Sequence, residues 1–354
     1  NLEAAAWIAR RDLALPVALG YVCPAPCEKG CRRKDVDETL KIREAHRLVS
    51  ELFQALQTDI PMPGKKVAVI GSGPAGLSSA WKLRQLGYAC TVYDEAPQAG
   101  GDLLNHADLP ASVLESEIEW LQRAGIEFKL GRSVLLHEIA DGYAAVLFAS
   151  KEKPETRFSD AFYAMEHSLT VKAVGNGKDA ALHVHQLLAG GDIPIFGKRF
   201  DSKTGRLRDT ELAELTLNCS AVRYDSTLQM DAARCLHCDC RKPVSCKLRR
   251  YAEQYGADQR AFPADERGQL QLIGSNEAVL FEPGKCIKCG LCIKITKQAG
   301  EELGLMFKGR GFNPQLSVPF DETLASALKI SAQACVEICP TGALAFRLNE
   351  EKEA

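Results

Sequence analysis

The chain has 354 residues, enough for about two or three domains, and its net charge of −2 gives no reason to expect nucleic acid as a partner. Hydrophobic residues make up 46% and charged residues 25%, as is usual for globular proteins. No uninterrupted apolar run approaches about eighteen residues, so we expect no membrane span.

Residues 1–62 are predicted to form a helical domain that a cysteine loop interrupts. Two segments have helical apolar spacing and few helix breakers, NLEAAAWIARRDLAL and ETLKIREAHRLVSELFQAL. The loop between them carries Cys23, Cys27 and Cys31. The Pro/Gly-containing stretch DIPMPGKK then reads as a linker.

Residues 63–196 are predicted to form a Rossmann-like α/β domain. The strand KVAVI precedes a G-x-G-x-x-G turn, formed by Gly71, Gly73 and Gly76. An Ala/Leu-rich helix follows, and Asp94 ends the next strand, where such a fold binds a ribose. The helix ASVLESEIEWLQRAG and the strand YAAVLFA continue the alternation.

Residues 197–262 are predicted to be a connector that ends in a cysteine loop, with 197–228 extended and polar. Residues 263–354 are predicted to form an α+β, ferredoxin-like domain made of short helices and cysteine loops.

The cysteines are the most informative feature, because twelve of the fourteen fall in four tight groups. The groups are Cys23, Cys27 and Cys31; Cys235, Cys238, Cys240 and Cys246; Cys286, Cys289 and Cys292; and Cys335 and Cys339. Spacings of a few residues let one loop wrap a metal centre, so they favour metal over disulfides. The sequence shows no export signal, so we expect a cytoplasmic protein.

Three segments carry a family resemblance: CPAPCEKGC, VAVIGSGPAGLSSAWKLRQLGYACTVYDEAPQAGG and LPASVLESEIEWLQRAGIEF. In this order they resemble the small subunit of glutamate synthase and its relatives, a module that also occurs in dihydropyrimidine dehydrogenase. The resemblance covers roughly the first 190 residues and implies that the glycine turn binds FAD. The residues that would bind the cofactor are Gly71, Gly73, Pro74, Ala75, Gly76, Asp94, Glu95 and Gly101.

The chain departs from this family in two places. The family inserts an NAD(P)H-binding domain after the strand that here is YAAVLFAS, but the returning helix TVKAVGNGKDAALHVHQLLAG follows about twenty residues later, and one βαβ unit needs about thirty. NAD(P)H is therefore not expected to bind this chain, and GNGKDA is expected to belong to the closing helix. The family also has a Gly-Asp pair that contacts FAD, whereas the corresponding segment here, FYAMEHSLTV, contains no Gly-Asp pair.

The first two cysteine groups each predict one 4Fe–4S cluster. Related enzymes hold two clusters in the N-terminal region with further cysteines upstream, and dihydropyrimidine dehydrogenase uses a glutamine on the following helix as one ligand. The matching helix here, KIREAHR, offers His46 as a fourth ligand, although His46 as an exposed helix residue is an equal alternative. The second group could also hold zinc, but the redox motifs around it favour iron, and His237 is not expected to be a ligand.

The third group has the C-x-x-C-x-x-C spacing of a bacterial ferredoxin, but Thr296 stands where the fourth cysteine is expected. In two-cluster ferredoxins, the cysteine before a proline ligates the cluster of the other motif, and Cys339 precedes Pro340. We therefore predict that Cys339 completes the cluster. Cys335 is then a spare thiol or a competing ligand.

The segment from about 280 to 346 resembles the large iron–sulfur subunit of respiratory complex I. That family also combines C-x-x-C-x-x-C with a Gly-Arg-Gly stretch, here GRGF at 309–312, and a distant C-P-x-G-A-L. Related segments occur in iron hydrogenases and pterin-dependent formate dehydrogenases.

Together these features predict an iron–sulfur flavoprotein with about three 4Fe–4S clusters and one FAD. It would relay electrons within a larger redox complex, and no catalytic residue is predicted in this chain. The catalytic site would lie on a partner, such as a hydrogenase, a pterin enzyme or a glutamate-synthase-like large subunit. The alternatives are a self-sufficient NAD(P)H-dependent oxidoreductase and a structural adaptor with an empty flavin fold.

Overall fold

The structure is a computed structural model that describes residues 2–52, 64–134, 136–152, 161–190, 207–217, 227–238, 240–242, 245–258, 261, 270–274, 278–311 and 313–346. The chain divides into two compact units. The first comprises residues 1–31 and 41–193, and the second comprises 32–40 and 194–354. The finer division into four domains stays a prediction.

The first unit contains five strands: β1 Lys66–Ile70, β2 Ala89–Tyr93, β3 Glu127–Lys129, β4 Ala145–Ser150 and β5 Ala161–Met165. They form one parallel sheet in the order β3-β2-β1-β4-β5. In its register, Val67 pairs with Cys90 on one side and Ala145 on the other. The central strands are apolar and buried, as expected of a parallel sheet covered on both faces. The predicted Rossmann-like domain is therefore confirmed.

Eight α-helices are described in this unit: α1 Leu2–Asp12, α2 Pro16–Val22, α3 Pro26–Gly30, α4 Ile42–Leu52, α5 Pro74–Gln85, α6 Ala111–Arg123, α7 Leu136–Ile139 and α8 Thr170–Ala189. GNGKDA lies inside α8, as predicted. A Cβ atom on Gly177 would lie 2.2 Å from the carbonyl oxygen of Ala75, so this glycine serves the close packing of α8 on α5. No described helix is long and apolar enough to cross a membrane.

A buried ion pair joins α1 to α6. The Nη1 atom of Arg10 lies 2.6 Å from Oε1 of Glu117, and the two side chains are only 1% and 2% exposed. Glu117 also accepts a hydrogen bond from the backbone N–H of Val17 at 3.1 Å. Burial raises the pKa of Glu117 although the guanidinium opposes the shift.

Replacing Glu117 with alanine is expected to lower the free energy of unfolding by about 3–5 kcal/mol, because Arg10 would be left buried without its partner. Urea unfolding measures the change. Glu302→Ala, which removes an exposed carboxylate 3.4 Å from Lys329, is the control and should cost less than about 1 kcal/mol. Equal costs for the two variants would show that the Arg10–Glu117 pair contributes little.

The second unit contains the helices α9 Asp209–Leu217, α10 Thr227–Ala233, α11 Lys247–Gln254, α12 Leu291–Gln298, α13 Leu324–Ala327 and α14 Ala332–Ile338. Its strands are β6 Val279–Phe281, β7 Met306–Lys308, β8 Gln315–Ser317 and β9 Leu344–Phe346. The pairs β6–β9 and β7–β8 are antiparallel. Apolar side chains of β6, β9, α13 and α14 share one core. These are α+β elements, and their iron–sulfur character stays a prediction.

The prediction of an extended connector over 197–228 is wrong for residues 209–217, which form α9. Leu215 of this helix is buried in an apolar cluster with Leu272 and Leu280, and Leu212 packs against that cluster. The carboxylate of Glu211 accepts the N–H of Arg208 at 2.8 Å and so caps the helix start. Leu212 and Leu215 are only three residues apart, and such a short apolar pattern does not by itself predict a helix in a polar segment.

Candidate cofactor sites

The glycine turn follows β1 and is too tight for side chains. Gly71 has a φ of +108°, a conformation that favours glycine. A Cβ atom on Gly71 would lie 2.1 Å from the carbonyl oxygen of Ala149, and one on Gly76 would lie 1.9 Å from that of Gly71. The backbone of the turn therefore packs directly against β4, at the carboxyl ends of the strands where Rossmann-like folds bind dinucleotides.

The start of α5 presents backbone N–H groups beside this turn. Gly73 is the N-cap residue and Pro74 occupies the first helical position, which suits proline. Gly101 approaches so closely that a Cβ atom on it would lie 2.9 Å from the Cα of Gly73. The N–H of Gly100 also donates to the carbonyl of Ser72 at 2.9 Å. The structure thus brings together most of the predicted FAD residues: Gly71, Gly73, Pro74, Ala75, Gly76 and Gly101.

Asp94 lies at the end of β2 and is anchored to the same turn. Its Oδ2 accepts from the N–H and the hydroxyl of Ser72, both at 2.6 Å, and its Oδ1 accepts from the N–H of Ala96 at 2.9 Å. A carboxylate offers about four acceptor sites, so one remains for a ribose hydroxyl. Glu95 is exposed and accepts from the hydroxyl of Ser133 at 2.8 Å.

Sequence reasoning missed Glu166, which directly follows β5. Its Oε1 accepts hydrogen bonds from the N–H groups of Ala75 at 2.8 Å and Gly76 at 3.4 Å. Burial raises its pKa, and the nearby Asp102 adds to the shift. The sequence feature that could have identified Glu166 is an acidic residue directly after a strand, in the segment where the family has its Gly-Asp pair.

One cavity in the second unit is lined by all four cysteines of the predicted C-terminal cluster, namely Cys286, Cys289, Cys292 and Cys339. Cys292 lies in the first turn of α12, and Cys339 is the C-cap residue of α14. Apolar residues, among them Phe281 and Leu344, complete the walls.

Two thiols of this cavity have a raised pKa. Burial raises the pKa of Cys286, and the charges of Cys339 and Cys289 raise it further. Burial also raises the pKa of Cys292 to about 12, and neighbouring thiols add to the shift. Four thiolates in this position would repel one another, and bound iron is the kind of positive charge that offsets such repulsion.

Thr296 and Cys335 are not among the residues that line the cavity. The hydroxyl of Thr296 donates to the carbonyl of Ile293 at 2.9 Å and accepts from the N–H of Leu305 at 3.2 Å. Cys335 is fully buried, and its thiol donates to the carbonyl of Cys292 at 3.6 Å. Both side chains therefore already have hydrogen-bond partners within the protein.

The second cysteine group lies in a loop that contacts the Cys339 segment. The Sγ of Cys240 would be 3.1 Å from a Cβ atom on Gly342. The ammonium of Lys242 donates to the carbonyl of Cys339 at 3.2 Å. The N–H of Leu248 donates to the carbonyl of Pro340, also at 3.2 Å. Cys235 follows α10 and Cys246 is the N-cap residue of α11.

The N-terminal group lies around α3. Cys23 and Cys31 are the C-cap residues of α2 and α3, and Cys27 lies within α3. Burial raises the pKa of Cys27, and the charge of the nearby Cys23 adds to the shift. His46 lies on the exposed side of α4. Its role as a ligand stays a prediction.

One cysteine in each of these groups accepts a backbone hydrogen bond at its sulfur. The donors are the N–H groups of Ala25 to Cys23, Arg249 to Cys246 and Lys288 to Cys286, each at 3.4 Å. Such bonds favour the thiolate, which is the form that binds iron.

No three His, Cys, Asp or Glu side chains of the described residues stand close enough to hold a single metal ion. Ligands of one zinc ion all lie about 2.0–2.3 Å from it. A 4Fe–4S cluster binds each thiolate to a different iron, so its ligands stand farther apart.

Comparison with known proteins supports the resemblance found in the sequence. A family model described as an NAD(P)-binding Rossmann-like domain matches residues 69–134. The homolog of the NAD-dependent dihydropyrimidine dehydrogenase subunit PreT from Salmonella typhi is 36% identical over 160 residues, which are 42% of this chain and 39% of that protein.

Two further relatives match stretches of similar length. The NADPH-Fe(3+) oxidoreductase subunit beta of Geobacter sulfurreducens is 33% identical over 156 residues, 40% of this chain and 23% of that protein. The glutamate synthase [NADPH] small chain of Bacillus subtilis is 35% identical over 147 residues, 38% of this chain and 30% of that protein. The predicted resemblance to the glutamate synthase small subunit is thus confirmed. The chain spans well under half the length of each relative.

Proposed function

We propose that this chain is an iron–sulfur flavoprotein subunit that relays electrons between FAD and 4Fe–4S clusters within a larger redox complex. The observation that carries the proposal is the single cavity lined by Cys286, Cys289, Cys292 and Cys339. The names of the three relatives describe a subunit or a small chain of a dehydrogenase, an oxidoreductase or a synthase. This supports a catalytic redox subunit as the partner.

The lining of the C-terminal cavity is chemically suited to a cluster, because it combines four cysteines with apolar side chains. The four cysteines would supply one thiolate to each iron, and the apolar walls would limit the access of water. A cluster in this place would supply one-electron storage, at a potential that charge, hydrogen bonds and exposure set.

The second cysteine group supports a relay rather than an isolated centre. Its loop contacts the segment that carries Cys339 through the side chains of Cys240 and Lys242. A cluster on the second group would therefore be a close neighbour of the C-terminal one, and short separations favour electron transfer. The positive charge of Lys242 beside Cys339 would favour the reduced form of the C-terminal cluster.

The backbone of the glycine turn is suited to bind the pyrophosphate of FAD. Gly71 and Gly76 keep it free of side chains, and Asp94 retains capacity for a ribose hydroxyl. FAD would supply the capacity to exchange electron pairs and single electrons. The one residue that does not fit is Glu166, whose carboxylate already uses the N–H groups at the start of α5.

We expect Cys235, Cys238, Cys240 and Cys246 to bind one 4Fe–4S cluster and not zinc. The double variant Cys235→Ser/Cys246→Ser should therefore lose about four irons per chain, measured by elemental analysis after anaerobic reconstitution. Cys90→Ser is the matched control, because Cys90 is a buried thiol of β2 outside the four groups. Full occupancy of the wild-type loop by zinc, seen by anomalous scattering at the zinc edge, would refute the assignment.

Analysis of iron, acid-labile sulfide and FAD in the anaerobically reconstituted chain tests the proposal as a whole. The relay predicts all three, in amounts close to three clusters and one flavin. A chain that takes up iron but no flavin would favour the structural adaptor with an empty flavin fold, and a chain that takes up neither would refute the relay.

A further inference from the structure

The N–H groups of Ala75 and Gly76 are the donors that a dinucleotide turn directs at a pyrophosphate. Here both donate to one oxygen, Oε1 of Glu166, at 2.8 and 3.4 Å. The same oxygen lies 2.4 Å from the position that a Cβ atom on Gly73 would take. The carboxylate therefore occupies the space over Gly73 that a dinucleotide turn keeps open for phosphate.

The backbone of the sheet fixes this placement. The N–H of Glu166 donates to the carbonyl of Ser150 at 2.9 Å, which continues the β4–β5 pairing. The carbonyl of Met165 accepts from the side-chain amide of Asn176 on α8 at 2.9 Å. Glu166 thus leaves the sheet at a defined point, two strands from β1, and extends over the start of α5.

We propose that Glu166 is a built-in competitor for the phosphate position, whose carboxylate holds the N–H groups of the turn and must leave them when FAD binds. The inference rests on the proposed FAD site. A helix N-terminus stabilises an anion, but two anions cannot share the same two donors without repulsion. FAD affinity is then set partly by the free energy needed to displace Glu166.

Charged groups near Glu166 come from two further segments. Asp102 lies in the turn after Gly101, and Lys151 follows β4; their side chains pair with each other, with Nζ 2.9 Å from Oδ2. On α5 the first charged residue is Lys82, more than two turns from the N-terminus. Burial and Asp102 raise the pKa of Glu166, and Lys151 opposes the shift.

The pH dependence follows from this arrangement. Above its raised pKa, Glu166 is an anion and competes fully with phosphate. As the pH falls through that pKa, the carboxyl gains a proton and its hold on the N–H groups weakens, so FAD affinity should rise.

The test compares FAD affinity, measured by quenching of flavin fluorescence, for the wild type and for Glu166→Gln from about pH 8 downward, over the range in which both proteins stay folded. At pH 8, Glu166→Gln should bind FAD about tenfold more tightly, because a charge-assisted contact contributes about 1.5 kcal/mol or more. The difference should shrink as the pH falls through the raised pKa of Glu166. Asp102→Asn, which removes a neighbouring charge but leaves the N–H groups occupied, should change the affinity by less than about threefold.

Glu166→Ala is a second variant, which removes the carboxylate from the space over Gly73 altogether. Its FAD affinity should equal or exceed that of Glu166→Gln. Thermal unfolding without ligand checks that each variant is folded. Equal FAD affinity of the wild type and both Glu166 variants at every pH would overturn the inference and leave the FAD proposal intact.

ADP, which carries the pyrophosphate without the flavin, separates the remaining outcomes. If no protein binds FAD but ADP raises the unfolding temperature of the Glu166 variants only, competition stands and FAD is refuted as the ligand. If ADP also leaves the unfolding temperature of every protein unchanged, the turn binds no phosphate and the inference is wrong.

Discussion

Replacing Cys339 with serine is expected to remove about four irons from the reconstituted chain. Cys339 shares one cavity with Cys286, Cys289 and Cys292 although about fifty residues separate it from them. Serine is a poor substitute for a thiolate toward iron, and three cysteines alone leave one iron open. Iron analysis and low-temperature EPR of the reduced chain measure the loss.

Two variants serve as controls for Cys339→Ser. Cys335→Ser and Thr296→Ala should leave the iron count unchanged, because neither side chain lines the cavity and each has a partner elsewhere. Thr296→Ala should still lower stability by roughly 1 kcal/mol, since the N–H of Leu305 loses its acceptor. Loss of the cluster in Cys335→Ser but not in Cys339→Ser would show that the ligand assignment is wrong.

NADH and NADPH are expected to leave the flavin of the isolated chain oxidised. Only residues 151–160 separate β4 from β5, whereas one βαβ unit needs about thirty residues. The relatives' names refer to NAD or NADPH, and the family's nicotinamide domain is inserted at this point. Absorbance at the flavin maximum under anaerobic conditions measures the reaction.

Dithionite is the positive control for that experiment, because it should bleach the flavin without any nucleotide site. Rapid, stoichiometric bleaching by NADH or NADPH would show that the isolated chain binds a nicotinamide cofactor. It would favour the alternative of a self-sufficient oxidoreductase.

The glycine turn and the C-terminal cavity could both be anticipated from the sequence, since each depends on local spacing plus one rule of topology. The turn needs only a strand, three glycines and a helix, and the structure shows all of them. The approach of Cys339 to the other three cysteines follows from the cross-over ligation of ferredoxins. In both cases short motifs fix the local backbone before tertiary packing is considered.

Glu166 and α9 could not be anticipated in this way. The contact of Glu166 with Ala75 joins residues 91 positions apart and depends on the order of β1, β4 and β5 in the sheet. α9 is stabilised by burial against Leu272 and Leu280, which are distant in sequence. Both features arise from tertiary contacts that a local pattern does not contain.

The most direct test of the electron relay is an anaerobic reductive titration of the chain reconstituted with iron, sulfide and FAD. We expect uptake of about five electrons per chain, one for each of about three clusters and two for the flavin. Bleaching of the flavin and the EPR signals of reduced clusters should both appear during the titration. A reconstituted chain that takes up no electrons would show that it is not an electron relay, and it would favour the structural adaptor.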